Sequence, residues 1–341
     1  LTTDTNATTP FEDVRALINR PAEADAGPGE QVRDWLAGVG RPGDFGRLGD
    51  AADWLARWQG RFPPRIESPT LVVFAGAHGL TKEDVSLSTD ADTRAHVEAL
   101  RAGTAPLSAI AAQAGAGIRV FELALEQPTP NIAETEAMTE RECAATIAYG
   151  FEAIENNPDL LALAVSGAGV GTTAAAVACA LYGGSPDYWV RPGLDMSSEL
   201  SKKRSDLVGR ALTLHRGHLS DPLEALRCLG GRELAACVGA IIAARHQCIP
   251  VLLDGFATTI AAGVVHAVNH QAITHCMASH QTKRPAHEAA TERLGLKPLL
   301  QLEFQTGGGL GCTSAINLLK TACAPFIAEP ESPPESAPES A

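Results

Sequence analysis

Short apolar, β-branched runs alternate along most of the chain with longer stretches of helical periodicity. Pro69–Ala75 (PTLVVFA), Ile118–Leu123, Leu160–Val165 (LLALAV), Ile249–Leu253, Ile273–Ala278 and Leu299–Phe304 (LLQLEF) read as strands. Helices are predicted over Thr93–Ala114, Thr139–Asn156, Thr172–Leu181, Leu200–Leu214, Arg232–Arg245 and Thr259–Val268. Earlier, Gln31–Val39 and Leu48–Trp58 carry helical patterns, and Thr313–Cys323 returns to helix. Strands alternating with helices predict an α/β fold, a doubly wound and mostly parallel sheet with helices on both faces. The expected layout is a core over 67–311 and a small helical domain built from both chain ends, 1–66 and 312–327. Residues 328–341 repeat Pro, Glu and Ser, the composition of a disordered tail.

Composition narrows the function. Lys and Arg number 27 against 40 Asp and Glu, a net charge of −13, and no basic run is interleaved with aromatics. Nucleic acid is excluded as a partner on that ground. Eight cysteines include no C-x-x-C pair, which predicts reduced thiols in a cytoplasmic protein, with neither a disulfide framework nor a metal site. His266 and His270 stand one helical turn apart, yet no carboxylate joins them, so they read as ordinary helix histidines. The HRGH stretch (His215, His218) reads as a solvated helix end. The polar start of the chain lacks the pattern of a signal peptide, and no run of about 18 apolar residues lacks polar breaks, so no membrane span is expected.

In wound sheets ligands bind beyond the carboxyl ends of the strands. After Val165 the chain reads Ser-Gly-Ala-Gly-Val-Gly-Thr-Thr, then an Ala-rich helix. A strand, a glycine turn and a helix start present N–H groups and a positive dipole end to an anion, which makes Gly169, Gly171, Thr172 and Thr173 candidates for phosphate. No Lys precedes the hydroxyls, so this is not a P-loop. Gly76 and His78 follow the first strand and Asp254 the fourth, which makes them candidates for a base pocket, while Ser279 follows the fifth as a candidate for the nucleotide. After Phe304, Gly307, Gly308, Gly309 and Gly311 leave room for a ligand or another backbone to pass close. A dinucleotide site is set aside, because no acidic ribose clamp follows about 20 residues on.

In order, these segments resemble the nicotinate-nucleotide–dimethylbenzimidazole phosphoribosyltransferases of cobalamin assembly, from about Gly46 to Ala324. Leu71–Leu80 (LVVFAGAHGL) resembles that family's VVFAGDHGV, and Ala137-Met138-Thr139 its AMT helix start. Gly230–Ala244 followed by Pro250–Phe256 (PVLLDGF) is similar throughout, as are Ser279-His280-Gln281 and Leu294–Leu300. The resemblance implies a homodimer, or one half of a heteromer, that moves phosphoribose from nicotinate mononucleotide to 5,6-dimethylbenzimidazole, with no cofactor. It also implies that Arg204 stands for a family Lys near the phosphate. Gly308 falls where the family's GEGTGA carries its general-base Glu. Ser166 or Gly167 replaces the Glu of GEMGIGNTT, and Ala77 the Asp of GDHG. The expectation is therefore a nucleotide site with altered base activation. It belongs either to a divergent transferase, for this or another aglycone, or to a non-catalytic nucleotide-binding homologue or inactive subunit.

Overall fold

The computed structural model describes residues 9–41, 43–191, 196–305 and 307–327. The expected tail at 328–341, Thr306 and the first eight residues lie outside these.

Among the described residues, five strands form one sheet: β1 (Pro69–Ala75), β2 (Gly117–Glu122), β3 (Leu160–Ser166), β4 (Val251–Leu253) and β5 (Cys276–Ala278). Their order is β2-β1-β3-β4-β5, and all four pairings are parallel. The chain steps from β1 outward to β2 and returns to pair β3 on the other side of β1. Strand order therefore reverses between β1 and β3, which makes a crevice at their carboxyl ends.

Fourteen described helices surround the sheet: α1 (Pro10–Ile18), α2 (Ala26–Val39), α3 (Gly46–Gln59), α4 (Asp90–Arg101), α5 (Pro106–Gln113), α6 (Glu140–Tyr149), α7 (Val170–Tyr182), α8 (Pro186–Val190), α9 (Ser198–Leu214), α10 (Pro222–Leu229), α11 (Arg232–His246), α12 (Gly255–Val268), α13 (Pro285–Arg293) and α14 (Leu310–Ile327). Period-2 alternation divides the strands between two cores. Val72, Phe74, Leu161, Leu163, Val251 and Leu253 face α6, α7, α11 and α12. Leu71, Val73, Leu160, Ala162 and Leu252 face α3, α5 and α14. The two chain ends meet on that second face, where Phe326 of α14 packs against Trp35 of α2 at 4.7 Å between ring centres. In contrast, α1 buries Phe11, Val14 and Ile18 with the first core.

Three expectations change. Thr93–Ala114 is two helices, because Pro106 cannot donate into a continuing ladder and instead begins α5. Leu299–Phe304 is no strand: one bridge joins Leu300 to His280, after which Glu303 turns to φ 58° and Leu302 is exposed. His215 is buried, not solvated, with its Nε2 2.9 Å from the Ile132 carbonyl oxygen. By length and composition α14 could cross a membrane, yet Ala315, Ile316, Leu319 and Cys323 of this helix pack in the second core.

Candidate active site

A cavity of about 580 Å³ opens beyond the carboxyl ends of β3 and β4, where Val165, Ser166 and Asp254 line it. Its floor is the turn from β3 into α7, where Gly167, Gly169 and Gly171 line it, and its walls come from α4, α5, α9 and the loop that carries Gly307 and Gly308.

Gly169 has φ 89°, which a side chain would resist, and a Cβ there would meet Leu80 at 2.7 Å. Neighbouring hydroxyls already occupy much of this turn. The Ala168 N–H donates to Thr93 Oγ1 (3.1 Å) and the Gly169 N–H to Ser86 Oγ (3.2 Å). Thr172 and Thr173 donate their N–H groups back to the Gly169 carbonyl. The Gly171 N–H has no acceptor among the described residues, and Gly171 lines the cavity at the helix start. Thr172 and Thr173, expected as hydroxyl donors, are fully buried away from the cavity.

Two arginines supply the positive charge. Arg204 on α9 donates from Nε to the Val85 carbonyl at 2.6 Å. Arg284, just before α13, donates to the carbonyls of Gly171 (3.0 Å) and Trp189 (3.2 Å) and lies 4.1 Å above the Phe256 ring. Neither guanidinium meets a carboxylate within ion-pair distance among the described residues. Burial lowers Arg204 to about 10, and burial together with the charge of Arg204 lowers Arg284 to about 9. Both remain cationic at neutral pH. Two half-buried cations without a carboxylate in ion-pair reach make the lining positive. Gln305 adds a buried Oε1 without a partner. Arg284 escaped the sequence reading because it sits six residues past β5, beyond the strand end where polar residues were sought.

Asp254 lines the cavity but is spent on the backbone. Its Oδ2 accepts the N–H groups of Gly308 (2.5 Å) and Gly309 (2.7 Å), and its Oδ1 that of Cys312 (2.9 Å). It anchors the glycine loop to the start of α14, and Gly307 packs so closely that a Cβ would lie 2.5 Å from the Asp254 carbonyl. Gly308 has φ 120° and open space around its Cα, while Gly309 turns inward against Leu71 and Leu107.

The remaining candidates lie elsewhere. His78 is buried, its Nε2 3.1 Å from the fully buried Glu233, and Gly76 presses on the same carboxylate. Both sit behind Gly167, whose Cβ would meet the Gly76 carbonyl at 2.7 Å, and neither reaches the cavity. Ser279 is buried, bonded to the Leu253 carbonyl (2.8 Å) and His280 (2.9 Å). Glu303, the carboxylate nearest Gly308 in sequence, is an exposed partner of Lys283 at 2.9 Å. Two acid–base groups that the sequence reading passed over do line the cavity: Asp92 and His96 on α4.

A phosphoribosyltransferase family model matches residues 22–329. Over 314 residues the chain is 44% identical to a Brucella canis protein named nicotinate-nucleotide–dimethylbenzimidazole phosphoribosyltransferase, spanning 92% of this chain and 93% of that one. A Brucella melitensis biotype 2 relative of the same name is 43% identical over the same length. A crystal structure of nicotinate-nucleotide–dimethylbenzimidazole phosphoribosyltransferase from Thermus thermophilus superposes with a TM-score of 0.75 at 29% identity, spanning 92% of this chain and 94% of that one.

Proposed function

The chain belongs to the nicotinate-nucleotide–dimethylbenzimidazole phosphoribosyltransferase family, and on that premise we propose that it transfers phosphoribose from nicotinate mononucleotide to 5,6-dimethylbenzimidazole or a related azole in cobalamin assembly. The carrying observation is 44% identity to proteins of that name along nearly their whole length. The cavity is consistent with this, because it combines an anion site with an apolar wall for a flat base.

In this reading the nucleotide phosphate lies between Arg204, Arg284 and the Gly171 N–H. Gly307 and Gly308, without side chains, leave room for the ribose. The acceptor ring rests on Leu87, Ala105, Leu107 and Leu310, which line the remaining wall. An azole nitrogen bonds to C1′ as the bond from C1′ to the pyridinium nitrogen breaks. That electron pair leaves with nicotinate, and the azole N–H proton goes to a base. Holding both reactants in one cavity converts an encounter into an intramolecular step. The same reading takes the protein to be a cytoplasmic dimer; light scattering that shows a monomer at micromolar concentration would remove the dimer.

The test is transfer itself. Protein mixed with nicotinate mononucleotide and dimethylbenzimidazole should release nicotinate and form the azole riboside phosphate in equal amounts. Tight nucleotide binding without nicotinate release, across azole and phenolic acceptors, would overturn the proposal and leave a nucleotide-holding protein.

A further inference from the structure

The reaction above needs a group to take the azole proton, and Gly308 offers no side chain. Among the described residues, the ionisable groups that line the cavity are Asp92, His96, Asp254, Arg204 and Arg284. The arginines are cations. Asp254 already accepts three backbone N–H groups and faces His280 at 3.7 Å. Asp92 gives its Oδ2 to the Thr89 N–H and hydroxyl, both at 2.8 Å, and these bonds hold its carboxyl below the usual range. A carboxylate so stabilised is a weak base.

His96 differs from all of these. It is half-buried on the cavity wall and makes no hydrogen bond to any described residue. Its helix is fixed to the nucleotide loop, since Thr93 on the same face accepts the Ala168 N–H. Three residues further, His96 lies about 4.5 Å along the helix axis from that anchor. Ala105 and Leu107 line the same cavity, and a Cβ at Gly309 would lie 2.8 Å from Leu107.

We propose that His96 is the proton acceptor of the transfer reaction, taking the azole N–H proton as the acceptor nitrogen bonds to C1′ and nicotinate leaves. The assignment rests on the phosphoribosyl-transfer reading. Atoms and charge balance: the pyridinium loses its positive charge as nicotinate departs, and His96 becomes imidazolium. Asp92, one helical turn earlier on the same face, is placed to stabilise that cation. Burial lowers the pKa of His96, which keeps the ring neutral and able to accept a proton at pH 7. The other charged groups that line the cavity with it are Asp92 on its own helix, Arg204, Asp254 and Arg284.

The test compares native protein with His96→Gln and His96→Ala, with nicotinate mononucleotide binding measured in parallel. His96→Gln should lower kcat by about 10² to 10⁴, the usual worth of general-base help, and leave nucleotide affinity unchanged. The loss should be smaller for acceptors with more acidic N–H or O–H groups, and added imidazole should restore part of the His96→Ala rate. The native rate should fall below a pKa under 6.5, and that limb should vanish in His96→Gln. If native protein transfers and His96→Gln transfers equally fast with the same pH profile, His96 is not the base. If native protein releases no nicotinate with any acceptor, the transfer reading falls and the assignment with it.

Discussion

Replacing Arg204 by Met should separate phosphate recognition from everything else the cavity does. The cavity holds two cationic guanidiniums with no carboxylate within ion-pair distance among the described residues, and the charge of Arg204 is one cause of the lowered pKa of Arg284. A guanidinium and a phosphate charge at 4 Å attract by about 4 kcal/mol at an effective dielectric of 20. After desolvation, a hydrogen bond to a charged group retains a net of about 1.5–3 kcal/mol. Arg204→Met should therefore weaken nicotinate mononucleotide binding by about 10- to 150-fold. Part of that loss is offset, because Arg284 no longer faces a like charge. Arg204 is the better choice of the two arginines, since Arg284 also braces the Gly171 and Trp189 carbonyls. Titration calorimetry with the nucleotide and with nicotinate riboside, which lacks the phosphate, is the assay. The riboside should bind native and variant protein alike. An equal loss for both ligands, or none for the nucleotide, would refute a phosphate site at Arg204.

Other outcomes follow from the packing. Burial pushes His275 and His287 down to about 3, so both stay neutral in the fold and take up protons on unfolding below 6.5. Their stabilising contribution is whole above 6.5 and is lost as pH falls toward 3, about 2 kcal/mol each by pH 5; urea midpoints that do not drop between pH 7 and 5 would contradict this. Gly239 lets α11 lie on α6 backbone to backbone, where a Cβ would sit 1.8 Å from the Ile147 carbonyl oxygen. Gly239→Ala should cost at least about 1–3 kcal/mol in urea unfolding at unchanged slope, and native-like stability would refute the contact. Seven of the eight free cysteines are buried and Cys248 is half-buried, so one thiol should react quickly with a disulfide reagent and the others only on unfolding.

Much of the architecture was legible because sheet burial writes itself into sequence. β1 and β3 are apolar on both faces, which only a strand covered by two helical layers requires. What was missed had a local cause. α1, α8, α10 and α13 all begin with Pro in their first turn, where it is well tolerated, and they are short or weakly periodic. LLQLEF alternates like a strand, yet it pairs only at Leu300, so its pattern reports contact without a ladder. Gly169, Gly171, Gly307 and Gly308, named from their places after strands, line the cavity, as does Arg204, which the family resemblance pointed to. His78 and Ser279 stand at strand ends as expected, but their polar atoms are engaged by Glu233, His280 and a carbonyl one layer down. Asp92, His96 and Arg284 come from a helix face and a loop, where no strand-end rule points.

The proposed mononucleotide site is the cavity beyond the carboxyl ends of β3 and β4, and a crystal structure of the complex with nicotinate mononucleotide would show whether it is filled. The phosphate should lie between Arg204, Arg284 and the Gly171 N–H, with C1′ on the side of His96. A nucleotide bound outside this cavity, or one with its phosphate against Leu107 and its pyridinium against the arginines, would contradict it.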